Sequence, residues 1–114
     1  MQMETEKQAD TLWVAASGEI DLREAERLRS TADPLLPGCR HLVLDLSGVV
    51  FIDSSGVGSI IGRYRRIREQ GGDMAIVGAK GGVKKVLEFS GIPNIIRLYP
   101  AREALPREFR GGKA

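Results

Sequence analysis

The feature that most constrains the fold is the alternation of short apolar runs with amphipathic stretches of helical period. Residues 42–44 and 74–77 are continuous apolar runs, which is typical of strands buried on both faces of a sheet. Around them, residues 22–36, 57–67 and 83–89 carry apolar side chains at helical spacing. Strands that alternate with helices of this length predict right-handed crossovers and a mainly parallel sheet. The pattern leaves open whether the helices cover one face or both.

The N-terminal residues predict an additional strand pair, which would make the sheet mixed. Apolar and polar residues alternate on both sides of Ala9-Asp10, so we expect a turn there, with Ser17-Gly18 ending the second strand. Residues 49–52 form a second apolar run, and Ile95, Ile96 and Leu98 predict a last strand. The predicted fold is one α/β domain with a mixed, mainly parallel sheet and about four helices. Its core covers about residues 3–100, and 101–114 form a short helix or a frayed basic tail.

Length and composition exclude several classes of protein. A chain of 114 residues is long enough for one domain. The net charge of +2 is low for a nucleic-acid-binding module. No apolar run approaches the roughly 20 residues of a membrane span, and the single Cys39 cannot form an internal disulfide. We therefore expect a cytoplasmic protein that binds neither membrane nor nucleic acid.

The predicted helix after residue 53 is unusual because the side opposite its apolar face carries small residues. Val57, Ile60, Ile61, Tyr64 and Ile67 cluster on one side at 100° per residue. A glycine inside a helix lowers the stability of the helix by about 1 kcal/mol relative to alanine, so its presence calls for a reason. A stripe of small residues allows another backbone to approach the helix closely. Either a partner protein or a neighbouring element of the same domain would explain it. The stripe consists of Ser55, Gly58, Ser59, Gly62 and Arg66.

Ser55 lies at the head of this stripe, near the first turn of the helix. Capping is the ordinary role of a serine there, shared with Asp53 or Ser54. A phosphate on Ser55 would add roughly −1.5 to −2 charges, and a helix N-terminus tolerates an anion well. Phosphorylation would then change the surface and leave the fold intact.

An ordered set of motifs extends this interpretation over nearly the whole chain. Gly18-Glu19-Ile20-Asp21 precedes the first helix. The later motifs are Phe51-Ile52-Asp53-Ser54-Ser55-Gly56-Val57-Gly58, Gly62-Arg63-Tyr64-Arg65-Arg66-Ile67, Gly71-Gly72, Val83-Lys84-Lys85-Val86-Leu87, Ser90-Gly91-Ile92 and Ile95-Ile96-Arg97. Together they resemble the STAS-domain anti-sigma factor antagonists, most of all the sporulation type.

The resemblance implies a switch and no enzymatic activity. The unphosphorylated protein would bind an anti-sigma factor that is also a serine kinase, so that the sigma factor is released. The kinase would phosphorylate Ser55 with its own ATP and magnesium, and a PPM-type, metal-dependent serine phosphatase would reverse this. No cofactor or metal is expected in this chain. The implied partner-binding residues are Glu19, Asp21, Asp53, Ser54, Gly56, Gly58, Ser59, Gly62 and Arg66.

Alternatives of other classes are weaker. Gly56-Val57-Gly58 lacks the third glycine of a dinucleotide fingerprint, and residues 78–84 lack the Gly-Lys-Ser/Thr ending of a phosphate loop. Cys39 and His41 alone cannot complete a metal site, and a Ser55–His41–Asp triad would have to span a whole strand. The arginines at 63, 65 and 66 are expected on a solvated or partner-facing side of the helix. A small-ligand or nucleotide-binding module of STAS type, or a stress-response antagonist, remains the alternative.

Overall fold

The computed structural model describes residues 2–110, which form one five-stranded sheet and three α-helices. The strands are β1 (Gln2–Gln8), β2 (Thr11–Ile20), β3 (His41–Ile52), β4 (Asp73–Val77) and β5 (Arg97–Tyr99). The helices are α1 (Leu22–Ala32), α2 (Ser54–Glu69) and α3 (Gly81–Phe89), and four short 3-10 helices lie between or after them. In this part of the chain no helix has the length and apolar character needed to span a membrane.

The sheet has the predicted mixed topology, with the strands in sequence order. β1 and β2 pair antiparallel around a turn at Ala9, which has a φ of 52°. β2, β3, β4 and β5 are parallel to their neighbours. The predicted parallel arrangement of the last strands is therefore confirmed.

All three α-helices pack on the same face of the sheet, which the sequence pattern did not determine. Leu28 from α1, Ile60 and Ile67 from α2 and Leu87 from α3 belong to one buried cluster with Leu44 of β3. Because each helix presents one apolar side to this cluster, their opposite sides remain outside. This layer places the starts of α1 and α2 next to each other at the carboxyl ends of β2 and β3.

The other face of the sheet is covered by the C-terminal segment. Leu105 and Phe109 are 4% and 6% exposed and pack against Val43, Ala75 and Val77. Leu105 directly follows the 3-10 helix Arg102–Ala104, and Phe109 lies in the 3-10 helix Arg107–Arg110. Of the two expected forms, a short helix or a frayed tail, the segment up to residue 110 thus takes the helical one, as two 3-10 helices. It is part of the folded core, because a sheet covered on one face only would expose Val43 and Val77 to water. The expected tail residues 111–114 lie outside the described residues.

Two predicted strand ends were wrong. Strand β2 continues beyond Ser17-Gly18 to Ile20, and the two apolar runs of residues 42–52 form one continuous strand, β3. A Cβ atom at Gly48 would stand 2.8 Å from the Cβ of Ser17, so the glycine allows the two backbones to approach closely and the pairing to continue.

One further strand prediction was wrong, and two apolar helix residues are exposed. Leu22 and Phe89 belong to helices but are 72% and 93% exposed. Ile95 and Ile96 precede β5 instead of belonging to it, because the chain leaves the 3-10 helix Ile92–Asn94 only at this point. Ile96 is nevertheless buried, since its side chain still reaches the main core.

Candidate functional site

The start of α2 is held by its capping residue. The carboxylate of Asp53 accepts a hydrogen bond of 3.0 Å from the backbone N–H of Gly56. The backbone N–H of Asp53 in turn donates to the carbonyl oxygen of Ile20, at 3.3 Å, which ties this corner to the end of β2. Ser54 is exposed and Ser55 is half-buried in the first helical turn. Ser55 is therefore presented on a rigid helix start.

The start of α1 lies beside it, at the end of the neighbouring parallel strand. Asp21 caps α1 by accepting a hydrogen bond of 3.1 Å from the N–H of Glu24. Glu19 is exposed and pairs across the sheet with Phe51. The structure thus brings Glu19, Asp21 and Asp53 to one edge of the sheet, near Ser54 and Ser55.

Three exposed apolar side chains belong to the same edge, and sequence reasoning missed them. Leu22 is 72%, Val50 75% and Phe51 46% exposed. Leu22 fits the helical spacing of α1, and Val50 and Phe51 lie in an apolar run, so the sequence pattern did not distinguish them from buried residues. For Leu22, the position directly after the capping Asp21 was a signal of exposure, because a residue there precedes the first buried turn of α1. Exposed apolar residues beside charged ones are typical of a protein-binding surface.

The small-residue stripe of α2 is partly covered by α1. The hydroxyl of Ser59 donates a hydrogen bond of 2.7 Å to the carbonyl oxygen of Ala25, and it accepts one of 3.1 Å from Arg63. Arg63 also forms an ion pair of 2.7 Å with Asp33, at the end of α1. At Ser59, the small side chain therefore accommodates α1, which is a neighbouring element of the same domain.

Arg63 was expected on a solvated or partner-facing side of the helix, and this was wrong. Its side chain is buried, and only 5% of the residue is exposed. Burial lowers the pKa of its guanidinium, while the charge of Asp33 opposes that shift. The spacing pattern placed Arg63 among polar residues, but only the packing of α1 against α2 shows that this side is interior.

The three glycines of α2 have different surroundings. Gly56 is buried, and an added Cβ would stand 2.6 Å from Cγ1 of Ile52 and 2.8 Å from the carbonyl oxygen of Ile20. Gly56 therefore lies behind the surface and serves packing. At Gly58 and Gly62 an added Cβ would meet nothing within 4 Å. These two glycines and the exposed Arg66 form the uncovered part of the stripe.

This difference predicts opposite effects of the same substitution. Gly56→Ala should lower the free energy of unfolding by about 1–3 kcal/mol, because the new methyl group overpacks the strand–helix junction. Gly58→Ala should raise it by up to about 1 kcal/mol, since alanine is the better helix former. Urea denaturation would measure both. Equal effects of the two substitutions would contradict the packing role of Gly56.

Catalytic and metal-binding arrangements do not assemble around Ser55. His41 is the first residue of β3 and Ser55 lies three residues after its last, so the whole length of the strand lies between them. Within residues 2–110 there is no group of three or more His, Cys, Asp or Glu side chains that could hold a metal ion. Cys39 is buried, which raises the pKa of its thiol.

The fold and this edge define a small α/β binding domain that presents a serine on a capped helix start. The family model of the STAS domain matches residues 2–105. An anti-sigma F factor antagonist of Paenibacillus polymyxa is 37% identical over 101 residues, covering 87% of this chain and 86% of the relative. The chain therefore belongs to the STAS-domain family, among its anti-sigma factor antagonists.

Other relatives agree with this assignment. An anti-sigma-B factor antagonist of Bacillus subtilis is 25% identical over 103 residues, covering 90% of this chain and 94% of the relative. The unphosphorylated anti-sigma factor antagonist SpoIIAA has the same fold, with a TM-score of 0.83 at 24% identity over 96% of this chain and 97% of its own. The phosphorylated form of SpoIIAA gives a TM-score of 0.70 over 90% of this chain and 96% of its own, also at 24% identity.

Proposed function

We propose that this protein releases a sigma factor by binding its anti-sigma factor, and that phosphorylation of Ser55 switches the protein off. In this proposal the partner is an anti-sigma factor that is also a serine kinase, and only the unphosphorylated protein binds it. The observation that carries the proposal is the position of Ser55. It lies on a capped helix start, in a groove that the exposed Leu22 and Gly58 also line, and Gly58 and Gly62 of the same helix have open space around them.

The uncovered part of the stripe offers the partner a surface without protruding side chains at Gly58 and Gly62. Gly58 and Gly62 allow a backbone or helix of the kinase to approach α2 closely. Leu22, which is exposed and lines the same groove as Ser55 and Gly58, would supply an apolar contact of the kind that usually dominates such interfaces. Glu19 and Asp21, at the same edge, would add charged contacts that align the partner on this surface.

Phosphorylation would change this surface without changing the fold. The Ser55 oxygen would take the γ-phosphoryl group of ATP, ADP would leave, and the hydroxyl proton would pass to the kinase. ATP and magnesium belong to the kinase, and this chain contributes no cofactor. The phosphate, of roughly −1.5 to −2 charges, would stand two residues from Asp53. A partner packed on Gly58 and Gly62 would then face a bulky anion.

The cycle is completed by a PPM-type serine phosphatase that removes the phosphate and restores binding. The proposed location of the whole cycle is the cytoplasm, where the kinase and the sigma factor act. The relatives include antagonists of both anti-sigma F and anti-sigma-B factors. The higher identity to the anti-sigma F relative favours the sporulation pathway over the stress response.

The test is phosphorylation by the anti-sigma factor kinase encoded in the same genome. With magnesium and ATP alone the protein should remain unmodified, and with the kinase it should gain one phosphate, on Ser55. Ser55→Ala should abolish the modification and retain binding, because alanine fits the small-residue surface. Ser54→Ala is the matched control and should still be phosphorylated.

Mass spectrometry and titration calorimetry are the measurements. A phosphate on Ser54 or Ser17, or normal kinase binding by the phosphorylated protein, would contradict the proposed switch. Binding of ATP by this chain alone would instead favour a nucleotide-binding module.

A further inference from the structure

The surface groove between α1 and α2 joins Ser55 to a cluster of charged side chains. Ser55 and Gly58 of α2 line it at one end. Glu26 and Arg29 of α1 and Arg63 of α2 line it further along. The groove that begins at the proposed phosphorylation site is therefore lined by two guanidinium groups further along its length.

The two arginines differ in their freedom to change partners. Arg63 is buried, and its guanidinium is engaged by Asp33 and by Ser59. Arg29 is exposed. Its Nε donates a hydrogen bond of 3.1 Å to the carboxylate of Glu26, three residues earlier on the same helix, and this ion pair is exposed as well. This contact is the main cause that lowers the pKa of Glu26 and raises that of Arg29. Exposed pairs of this kind are weak and exchange readily, so Arg29 can leave Glu26 for a stronger acceptor.

Arg29 is also positioned to reach toward Ser55. The helices α1 and α2 run in the same direction, since each follows a strand of one parallel pair. The hydrogen bond between Ser59 and Ala25 places those two residues at the same level. Ser55 lies one turn before that level and Arg29 one turn after it, which separates them by about 12 Å along the helices.

Side-chain direction reduces this separation. Long side chains of a helix lean toward its N-terminus, and the contact of Arg29 with Glu26 shows this direction. The guanidinium thus already lies near the level of Ser59. A phosphate would extend from Ser55 into the groove, and Gly58 puts no side chain between them.

We propose that Arg29 captures the phosphate of phosphoserine 55, exchanging its carboxylate partner Glu26 for the phosphate. This inference rests on the proposed phosphorylation of Ser55. A phosphate accepts two parallel N–H bonds from arginine and binds it more strongly than an exposed carboxylate does. The captured phosphate ties α2 to α1 across the groove. Phosphorylation then blocks the docking surface in two ways, because the phosphate bridges the groove and also repels the partner.

The test places phosphoserine at position 55 during translation, by genetic-code expansion, so that no kinase is needed. The phosphate is titrated by phosphorus NMR in the full chain. We expect its second pKa to lie below the ordinary value of about 6. Arg29→Gln should raise it by about half a unit to one unit, because an opposite charge in contact favours the dianion. Glu26→Gln should lower it further, since it frees Arg29.

Arg23→Gln is the matched control, because it removes the same charge from an exposed position of α1 that does not line the groove. Its effect should be less than a third of that of Arg29→Gln. Equal shifts for the two variants, or no shift for Arg29→Gln, would overturn the capture. The result is independent of the kinase. A kinase that ignores Ser55 would contradict the proposed function while leaving this measurement intact, and a failed capture would leave the kinase reaction intact.

Discussion

Replacing Asp33 by alanine should lower the free energy of unfolding by about 3–5 kcal/mol, because it leaves a buried positive charge without its partner. The guanidinium of Arg63 is 2.7 Å from Asp33, and both side chains are largely shielded from water. Burial already lowers the pKa of Arg63. Without Asp33 the remaining acceptors are the oxygens of Ser59, which are neutral. Urea denaturation followed by circular dichroism measures the change.

Three controls separate the charge effect from lost packing. Asp33→Asn keeps the side-chain volume and should also be strongly destabilising, since the amide carries no charge. The double variant Asp33→Leu with Arg63→Met should recover most of the stability, because an apolar pair of similar volume often replaces a buried ion pair without loss. Glu26→Ala, which breaks the exposed pair with Arg29, should have only a small effect. A loss below about 1 kcal/mol for Asp33→Ala would show that water reaches Arg63 and that the pair is not structural.

Gly62→Leu should weaken binding to the anti-sigma factor kinase by about a hundredfold or more, as is typical for a disrupted interface centre. A Cβ at this position meets nothing within 4 Å, so the domain should fold normally. The better helix propensity of leucine should even raise the free energy of unfolding by up to about 1 kcal/mol. The large side chain would hold α2 away from the partner. Circular dichroism and titration calorimetry report the two quantities separately.

Gly82→Leu is the matched control, because Gly82 lies in α3 and is equally open. It should bind the kinase as the unmodified protein does. Normal binding by Gly62→Leu would place the docking surface elsewhere, around Glu19 and Asp21. Unfolding of Gly62→Leu would instead mean that this part of the stripe is internal packing, as it is at Ser59.

Sequence reasoning could predict the features that depend on local chemistry. Asp21 and Asp53 cap helices in the structure because a short carboxylate before an apolar run satisfies free N–H groups of the first turn. The strands of 42–44 and 74–77 followed from apolar runs too short for helices. The order of elements then led to the parallel sheet, because crossover helices leave little choice of topology. The position of Ser55 at a helix start followed from the same local signals.

The tertiary structure alone decided which side of each element is covered. Periodicity showed that α2 has two different sides, but it did not show that α1 covers Ser59 and Arg63 while leaving Gly58 and Gly62 open. For the same reason the sequence pattern did not show that Leu22 is exposed or that Phe109 is buried against the sheet. The physical cause is that burial depends on the neighbours an element meets across the fold, and those contacts join residues far apart in the chain. Local residue patterns were therefore enough to predict the order of the elements and the positions of the helix starts, and packing between the elements decided which residues remain free to meet a partner.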